Sequence, residues 1–227
     1  MTETDNPYWN LLKDEVESTD DPYPFSWGRR VVGEKHRPGT FSEAWVNRRG
    51  WCRQYAWAIP SPEALDWMVE RLAGRSVVEI GAGTGYWAWQ LLQRGVHVSA
   101  YDEAPPGRHG SRNHYHSPQR GPDHEFTDEP GEQFFPVKYG SSYYAGLWPD
   151  KVLYLSWPPY AEAMASKVLA RFVGDELIYC GEGEGGCTGD DEFHDLLRDE
   201  WERVDACRDH VVWYGVHDEL IHYRRRR

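Results

Sequence analysis

One heptapeptide, Glu79-Ile-Gly-Ala-Gly-Thr-Gly85, and one acid, Asp102, are the positions whose types and spacing point most directly to chemistry. Gly81, Gly83 and Gly85 let the backbone turn sharply and let a ligand approach it more closely than any side chain permits. Asp102 closes the run Gly95-Val-His-Val-Ser-Ala-Tyr-Asp102. At the carboxyl end of a strand it can accept hydrogen bonds from both hydroxyls of a ribose. Glu79 can orient an amino group of the ligand or hold the glycine loop through its amides. Ala82 lies within the turn, and Tyr86 and Trp87 follow its last glycine. Tyr55 and Trp57 stand ahead of this region, where they can close over ligand or substrate or simply pack the entry segment.

These residues need a strand, a tight turn and a helix to hold them. Residues 76–80 read as a buried strand, 86–94 as the first core helix and 96–101 as the next strand. Upstream, Ser61 is an N-cap and Pro62 the first position of a helix that Gly74 ends. Downstream, strands are expected at 134–138 (weakened by Pro136), 151–156 and 176–180. Helices are expected at 161–172 and 193–201. The last strands fall near 203–207 and 211–216, with 219–223 continuing the sheet edge. This alternation predicts an α/β fold with a doubly wound, mostly parallel seven-stranded sheet. Three regions follow: an irregular, aromatic-rich N-terminal extension or lid (1–59), the α/β domain (60–223) and a solvated basic tail (224–227). Residues 103–133 carry no durable period and read as a lid or binding loop.

Twelve tryptophans and fourteen tyrosines are unusual for 227 residues and suit either core packing or stacking on a flat ligand. The formal charge of −12 repels phosphate backbones at long range. Nucleic acid therefore requires a local groove, for which Arg29, Arg30, Lys35, Arg48, Arg49 and Arg53 are the candidates. Cys52, Cys180, Cys187 and Cys207 lack CxxC spacing and, with no leader or apolar 18-mer, read as free thiols in a cytoplasmic protein without membrane contact. His109, His114, His116 and His124 match no closed zinc pattern, so no metal is expected.

Two bulky aromatics after the last glycine suit a small zwitterionic tail better than a diphosphate, and no GxxxxGK[ST] phosphate loop is present. The chain resembles the class I S-adenosylmethionine-dependent methyltransferases over roughly residues 60–215. Glu79 to Gly85 matches that family's first motif, and Asp102 its ribose-binding acid. Val137-Lys-Tyr139-Gly140 corresponds to the segment beside the adenine. Ser156-Trp157-Pro158-Pro-Tyr160 falls after strand four, where the family places the loop facing the methyl group. The resemblance implies S-adenosylmethionine as cofactor and a catalytic role for Ser156, Trp157, Pro158 and Tyr160, with Ser156 also near the cofactor.

Amine methyltransferases of this kind often carry Asp, Asn or Ser directly before Pro-Pro-Tyr/Phe. Here Trp157 holds that place, and strand alternation predicts that Ser156 and Trp157 point in opposite directions. The expected reaction is methyl transfer to a nitrogen, less readily an oxygen, of a small molecule. Amino-methylation of a nucleotide or nucleic acid and a catalytically silent binding protein are the alternatives, with an NAD-dependent oxidoreductase last. The loop 181–189 and the Asp190 that follows it offer Glu182, Glu184 and Asp190 to a cationic substrate, although Asp190 also suits a helix cap. His194 is a candidate base and Cys187 a candidate nucleophile.

Overall fold

A computed structural model describes residues 5–18, 30–33, 43–106, 113–116, 119–120, 125–126 and 132–227. The N-terminal part forms α1 (Pro7–Leu12), β1 (Val16–Ser18), β2 (Arg30–Val32) and α2 (Glu43–Gln54). The α/β region opens with α3 (Pro62–Leu72), β3 (Val77–Ile80), α4 (Tyr86–Leu92) and β4 (Val98–Asp102). A short hairpin, β5 (Gln119–Arg120) with β6 (Glu125–Phe126), precedes β7 (Lys138–Tyr139) and a 3₁₀ helix (Ser142–Leu147). Then come β8 (Val152–Ser156), α5 (Met164–Arg171), β9 (Glu176–Gly181) and α6 (Asp191–Glu200). The chain ends with β10 (Trp201–Ala206), β11 (Val211–Trp213) and β12 (Glu219–Arg225).

Helix α3 starts where its sequence says it should. Ser61 Oγ accepts the Ala64 amide at 3.2 Å, Pro62 occupies the first turn, and Ala73 ends the helix in the left-handed region at φ 49°. Its Leu65, Met68 and Leu72 are fully buried. Each such side chain contributes about 1.5–3 kcal/mol by leaving water.

The seven-stranded sheet has the order β10-β12-β9-β8-β3-β4-β7. Strands β9, β8, β3, β4 and β7 run parallel, and β12 lies antiparallel to both β9 and β10. Side-chain alternation divides the core between the two faces. Val152 and Tyr154 of β8 pack with α3, α4 and the N-terminal residues Tyr8 and Leu12. Leu153 and Leu155 face the other way, among Val168 and Leu169 of α5 and Phe193 of α6. Helices therefore cover both faces of a doubly wound sheet, as expected. The chain reverses its winding direction between β3 and β8, opening a crevice at their carboxyl ends.

Five expectations require correction. The N-terminal region is less irregular than its prolines suggest: α2 is a 12-residue helix, and β1 and β2 form a three-stranded sheet with β11. Residues 211–213 thus leave the main sheet to pair with Arg30–Val32. Residues 219–225 do not form the edge but insert between β9 and β10. The third strand of the sheet is confined to Lys138–Tyr139, because Phe134 is drawn off to pack against Tyr55, Tyr86 and Trp89. Finally, Arg224 and Arg225 belong to β12, where Arg225 donates to the Phe172 and Gly174 carbonyls and to Glu200. Its guanidinium lies over Trp201, 4.4 Å from the ring centroid, and Arg226 donates to the Trp201 carbonyl.

Candidate active site

The crevice holds a cavity of about 340 Å³. Gly81 forms its floor, Asp102 and Asn113 one wall, Gly140 to Ser142 a second, and Ser156 to Pro159 a third. Trp57, Tyr115, His116, Glu162 and Met164 complete the enclosure.

The glycine loop adopts the geometry its sequence demands. Gly81, Gly83 and Gly85 have φ of 79°, 53° and 74°, in the region that favours glycine. The Gly81 and Ala82 amides donate to the Tyr101 carbonyl, fixing the loop to the end of β4. A Cβ on Gly81 would stand 2.5 Å from the Met164 methyl, and one on Gly83 would collide with the His116 ring. Gly81→Ala is expected to destabilise the protein by about 1–3 kcal/mol, mainly through backbone strain because the Met164 methyl can move aside. Urea unfolding reads this as a lower midpoint at unchanged slope.

Asp102 is buried at the end of β4, and its carboxylate organises the loop. Oδ2 accepts the Gly83 amide at 2.8 Å; Oδ1 accepts the Ala104 amide at 2.8 Å and Asn113 Nδ2 at 3.4 Å. A carboxylate has about four acceptor positions, so further donors can be taken without breaking the amide bonds. Glu79 lies beneath the loop, 2% exposed, with Oε2 lacking a hydrogen-bond partner among the described residues. Burial, with the nearby Asp102 charge second, pushes its carboxyl up to about 8.

Segment 113–116 is clamped to the end of α2 in both directions. Arg53 Nη1 donates to the His114 carbonyl at 2.6 Å, and His116 Nδ1 meets the Arg53 carbonyl at 3.0 Å. That contact places the ring proton on Nδ1 and leaves the Nε2 lone pair over Gly83. Burial lowers the His116 pKa, favouring the neutral ring.

Trp157 occupies a position that strand alternation does not anticipate. Its φ of 48° turns the chain just past the end of β8, so that Ser156 and Trp157 both line the cavity. A bulky residue in that region costs about 1–3 kcal/mol and persists only where its surroundings hold it. Three contacts do so. The Trp157 amide donates to the Cys180 carbonyl at 2.8 Å, its indole Nε1 donates to Asp218 Oδ2 at 3.0 Å, and its ring stacks on Trp57. Asp218 Oδ2 also meets His210 Nε2 at 3.1 Å, and Cys180 Sγ is 3.7 Å from that nitrogen. Candidate ligand atoms of Cys180, His210 and Asp218 lie within 4.8 Å of one another. The bond to Trp157 gives this buried group a function as an anchor.

Of the sequence-predicted site residues, Gly81, Asp102, Gly140, Ser156, Trp157 and Pro158 come together around the cavity. Glu79, Ala82, Gly83 and Gly85 are not among the residues that line it. Tyr55, Tyr86 and Trp87 do not line it: Tyr55 and Tyr86 form an aromatic cluster with Tyr8, and Trp87 packs on Tyr154. The Tyr86 hydroxyl donates to Asn6 and accepts the Tyr8 amide, and Thr84 Oγ1 donates to the Tyr55 carbonyl. These aromatics fasten the N-terminal segment under the loop. Tyr139 and Tyr160 point outward, 60% and 66% exposed. The Pro158 carbonyl, a possible acceptor for a substrate amine, already takes the Gly189 amide at 3.0 Å.

The loop 181–189 is likewise committed to structure. Glu182 accepts the Cys187 and His217 amides, and Asp190 caps α6 while accepting from Ser166 Oγ. His194 Nε2 bonds the Thr188 carbonyl and is not aimed at the cavity. Cys187 is exposed; partial desolvation, reinforced by the Glu182 carboxylate, raises its thiol to about 12 and so disfavours the thiolate. Among the described residues, several candidates for the basic groove are engaged in local contacts, and Arg49 lies near Arg53. Arg30 pairs with Glu63, Arg48 lies over Trp45 and Trp213, and Arg53 holds His114; Arg29 and Lys35 lie outside the described residues, as do His109 and His124.

Sequence reasoning missed Asn113, Ser141, Ser142, Glu162, Met164, His210 and Asp218, and weighed His116 only as a metal ligand. The misplaced tryptophan in Ser-Trp-Pro-Pro-Tyr is the one signal that pointed to the His210–Asp218 anchor.

A glycine loop after the first strand of the sheet, an acid at the end of the second, and a seventh strand inserted antiparallel beside the fifth decide the fold. It is the class I S-adenosylmethionine-dependent methyltransferase fold. No family model matches the chain. Short stretches resemble known methyltransferases. The ribosomal RNA large subunit methyltransferase M of Alkalilimnicola ehrlichii is 44% identical over 55 residues, which are 21% of this chain and 15% of that protein. An uncharacterized methyltransferase of Mycobacterium tuberculosis is 46% identical over 44 residues, 19% of this chain and 18% of its own length. The chain thus matches less than a fifth of these curated relatives. Among solved structures it is similar to magnesium protoporphyrin IX methyltransferase from Synechocystis PCC 6803 with bound SAM, at TM-score 0.43 and 12% identity over the whole of both chains. It is also similar to the Burkholderia thailandensis 1,6-didemethyltoxoflavin-N1-methyltransferase, at TM-score 0.44 and 16% identity, covering 94% of this chain and all of that one. Among the described residues, no helix of this methyltransferase fold is long and apolar enough to cross a membrane.

Proposed function

We propose that this chain transfers a methyl group from S-adenosylmethionine to a nitrogen, less readily an oxygen, of a small molecule. The observation that carries this reading is the convergence of Gly81, Asp102, Ser156 and Trp157 on one cavity at the switch point of the sheet. The residues fit the cofactor. Asp102 retains acceptor capacity for ribose hydroxyls, and Glu79, behind the lining residues Ile80 and Gly81 with Oε2 buried and unpaired among the described residues, would meet an ammonium group that reaches past them. When bound, the cofactor supplies an electrophilic methyl on a sulfonium.

The protein then has mainly to align the nucleophile and exclude water. Trp57 and Trp157 wall the acceptor side, and the strained, anchored backbone of Trp157 keeps that wall fixed. Ser156 offers a hydroxyl at the same wall, and neutral His116 offers a lone pair for a departing proton. The absence of lysine and arginine from the described cavity lining favours a small molecule over a phosphate-bearing polymer.

Glu79 supplies a pH signature. Its folded-state pKa, raised from 4.5 to about 8, makes its contribution to stability fall as pH rises between those values. At neutral pH the carboxyl holds its proton, and an incoming ammonium group favours the carboxylate. Binding at pH 7 should therefore release a fraction of a proton, read by calorimetry in buffers of different ionisation enthalpy. Glu79→Gln should abolish the release and raise the melting temperature of the protein alone at pH 8. The activity itself is tested with methyl-labelled S-adenosylmethionine and a panel of amines and alcohols. Label in an amine supports the reading, whereas cofactor binding without transfer to any class favours the silent alternative.

A further inference from the structure

The acceptor side of the cavity combines three aromatic rings with a carboxylate from three separate parts of the chain. Trp57 and Trp157 stack on one another, with ring centroids 6.0 Å apart and planes 25° from parallel, so the pair offers a cation an outer face and not the space between the rings. Tyr115 stands edge-on to Trp57 at 6.4 Å and 80°, and its hydroxyl donates to Glu162 Oε1 at 3.0 Å. All four residues line the cavity. Its described lining includes the carboxylates of Asp102, Glu103 and Glu162 and no lysine or arginine. The chain as a whole carries a formal charge of −12, which draws cations toward it.

Ring faces attract a cation through their quadrupoles even where, as at Tyr115 and Glu162, the site stays open to solvent, and a neighbouring carboxylate adds to the attraction. A phosphate or carboxylate in the same place would meet like charge without a counter-ion. We propose that Trp57, Tyr115, Trp157 and Glu162 form an onium-binding box that selects a methyl acceptor bearing a tertiary or quaternary ammonium group. This rests on the methyltransferase reading and adds the substrate class to it. The ammonium is the handle; the lone pair that accepts the methyl belongs to another atom of the same molecule, because a quaternary nitrogen has none. Trp157 is held at the site by Asp218, and Tyr115 by Glu162, so the box is assembled without the ligand.

Choline and its neutral isostere 3,3-dimethyl-1-butanol test this directly, titrated by ligand-detected NMR into protein saturated with S-adenosylhomocysteine. Choline is expected to bind about tenfold more tightly than the alcohol. Glu162→Gln and Tyr115→Leu should each narrow that gap while leaving S-adenosylhomocysteine affinity intact. Equal binding of the two probes to loaded protein would overturn the box. Failure of S-adenosylhomocysteine to bind would instead overturn the underlying reading, and the choline preference of the protein alone would still judge the box. The cofactor's sulfonium is the other onium that could occupy it. If S-adenosylmethionine binds tenfold more tightly than S-adenosylhomocysteine and excludes choline, the box serves the cofactor and its assignment to the acceptor is wrong.

Discussion

Asp102→Ala should weaken S-adenosylhomocysteine binding by about 100-fold or more. The expected loss is that of two hydrogen bonds to a charged acceptor, each worth about 1.5–3 kcal/mol. It has a second component, because the same carboxylate accepts the Gly83 and Ala104 amides and so shapes the loop beneath the ligand. Asp102→Asn separates the two. Its amide oxygen can still serve one backbone donor, so the loop should survive better than binding does. Calorimetric titration of both variants, with urea unfolding alongside, distinguishes a lost ligand contact from a collapsed loop. Binding unchanged in a folded Asp102→Ala protein would remove this acid from the cofactor site.

Asp218→Ala should be the most damaging change outside the cofactor loop. Asp218 is 2% exposed and accepts from both Trp157 Nε1 and the His210 ring. Truncation leaves two buried donors without their acceptor, a loss of about 2–5 kcal/mol in stability. It also frees Trp157, whose left-handed backbone is sustained by this contact. Methyl transfer should therefore fall through kcat, while S-adenosylhomocysteine affinity, governed by the opposite wall, changes little. Trp157→Phe is the milder companion: it keeps an aromatic face and forfeits only the Nε1 donor. Should Asp218→Ala retain full activity, the anchored tryptophan is not what fixes the acceptor wall.

The proposed cofactor half of the site was legible in the sequence and most of the proposed acceptor half was not, for physical reasons. Gly81, Gly83, Gly85 and Asp102 sit at the ends of adjacent parallel strands, so local spacing carries their geometry. Tyr55, Tyr86 and Trp87 are near the same motif, but Tyr55 and Tyr86 are drawn into the aromatic cluster that docks Tyr8, and Trp87 packs on Tyr154. Trp157 misled because strand alternation ends where φ becomes positive, one residue beyond β8. His210 and Asp218 come from the loops around β11, which pairs not with the main sheet but with the N-terminal strand β2. That long-range pairing leaves no periodic trace, and it is what carries the anchor beneath Trp157. The Arg225 contacts are similar: a basic terminal run looks solvated until a strand delivers it to the Phe172 and Gly174 carbonyls.

The central claim is that the crevice between β3 and β8 binds an adenosyl cofactor, and titration of S-adenosylhomocysteine into the unaltered protein tests it most directly. The account predicts saturable one-to-one binding at pH 7, with proton release and no comparable heat from NAD. Silence from both S-adenosylhomocysteine and S-adenosylmethionine, or saturable binding of NAD in their place, would contradict it.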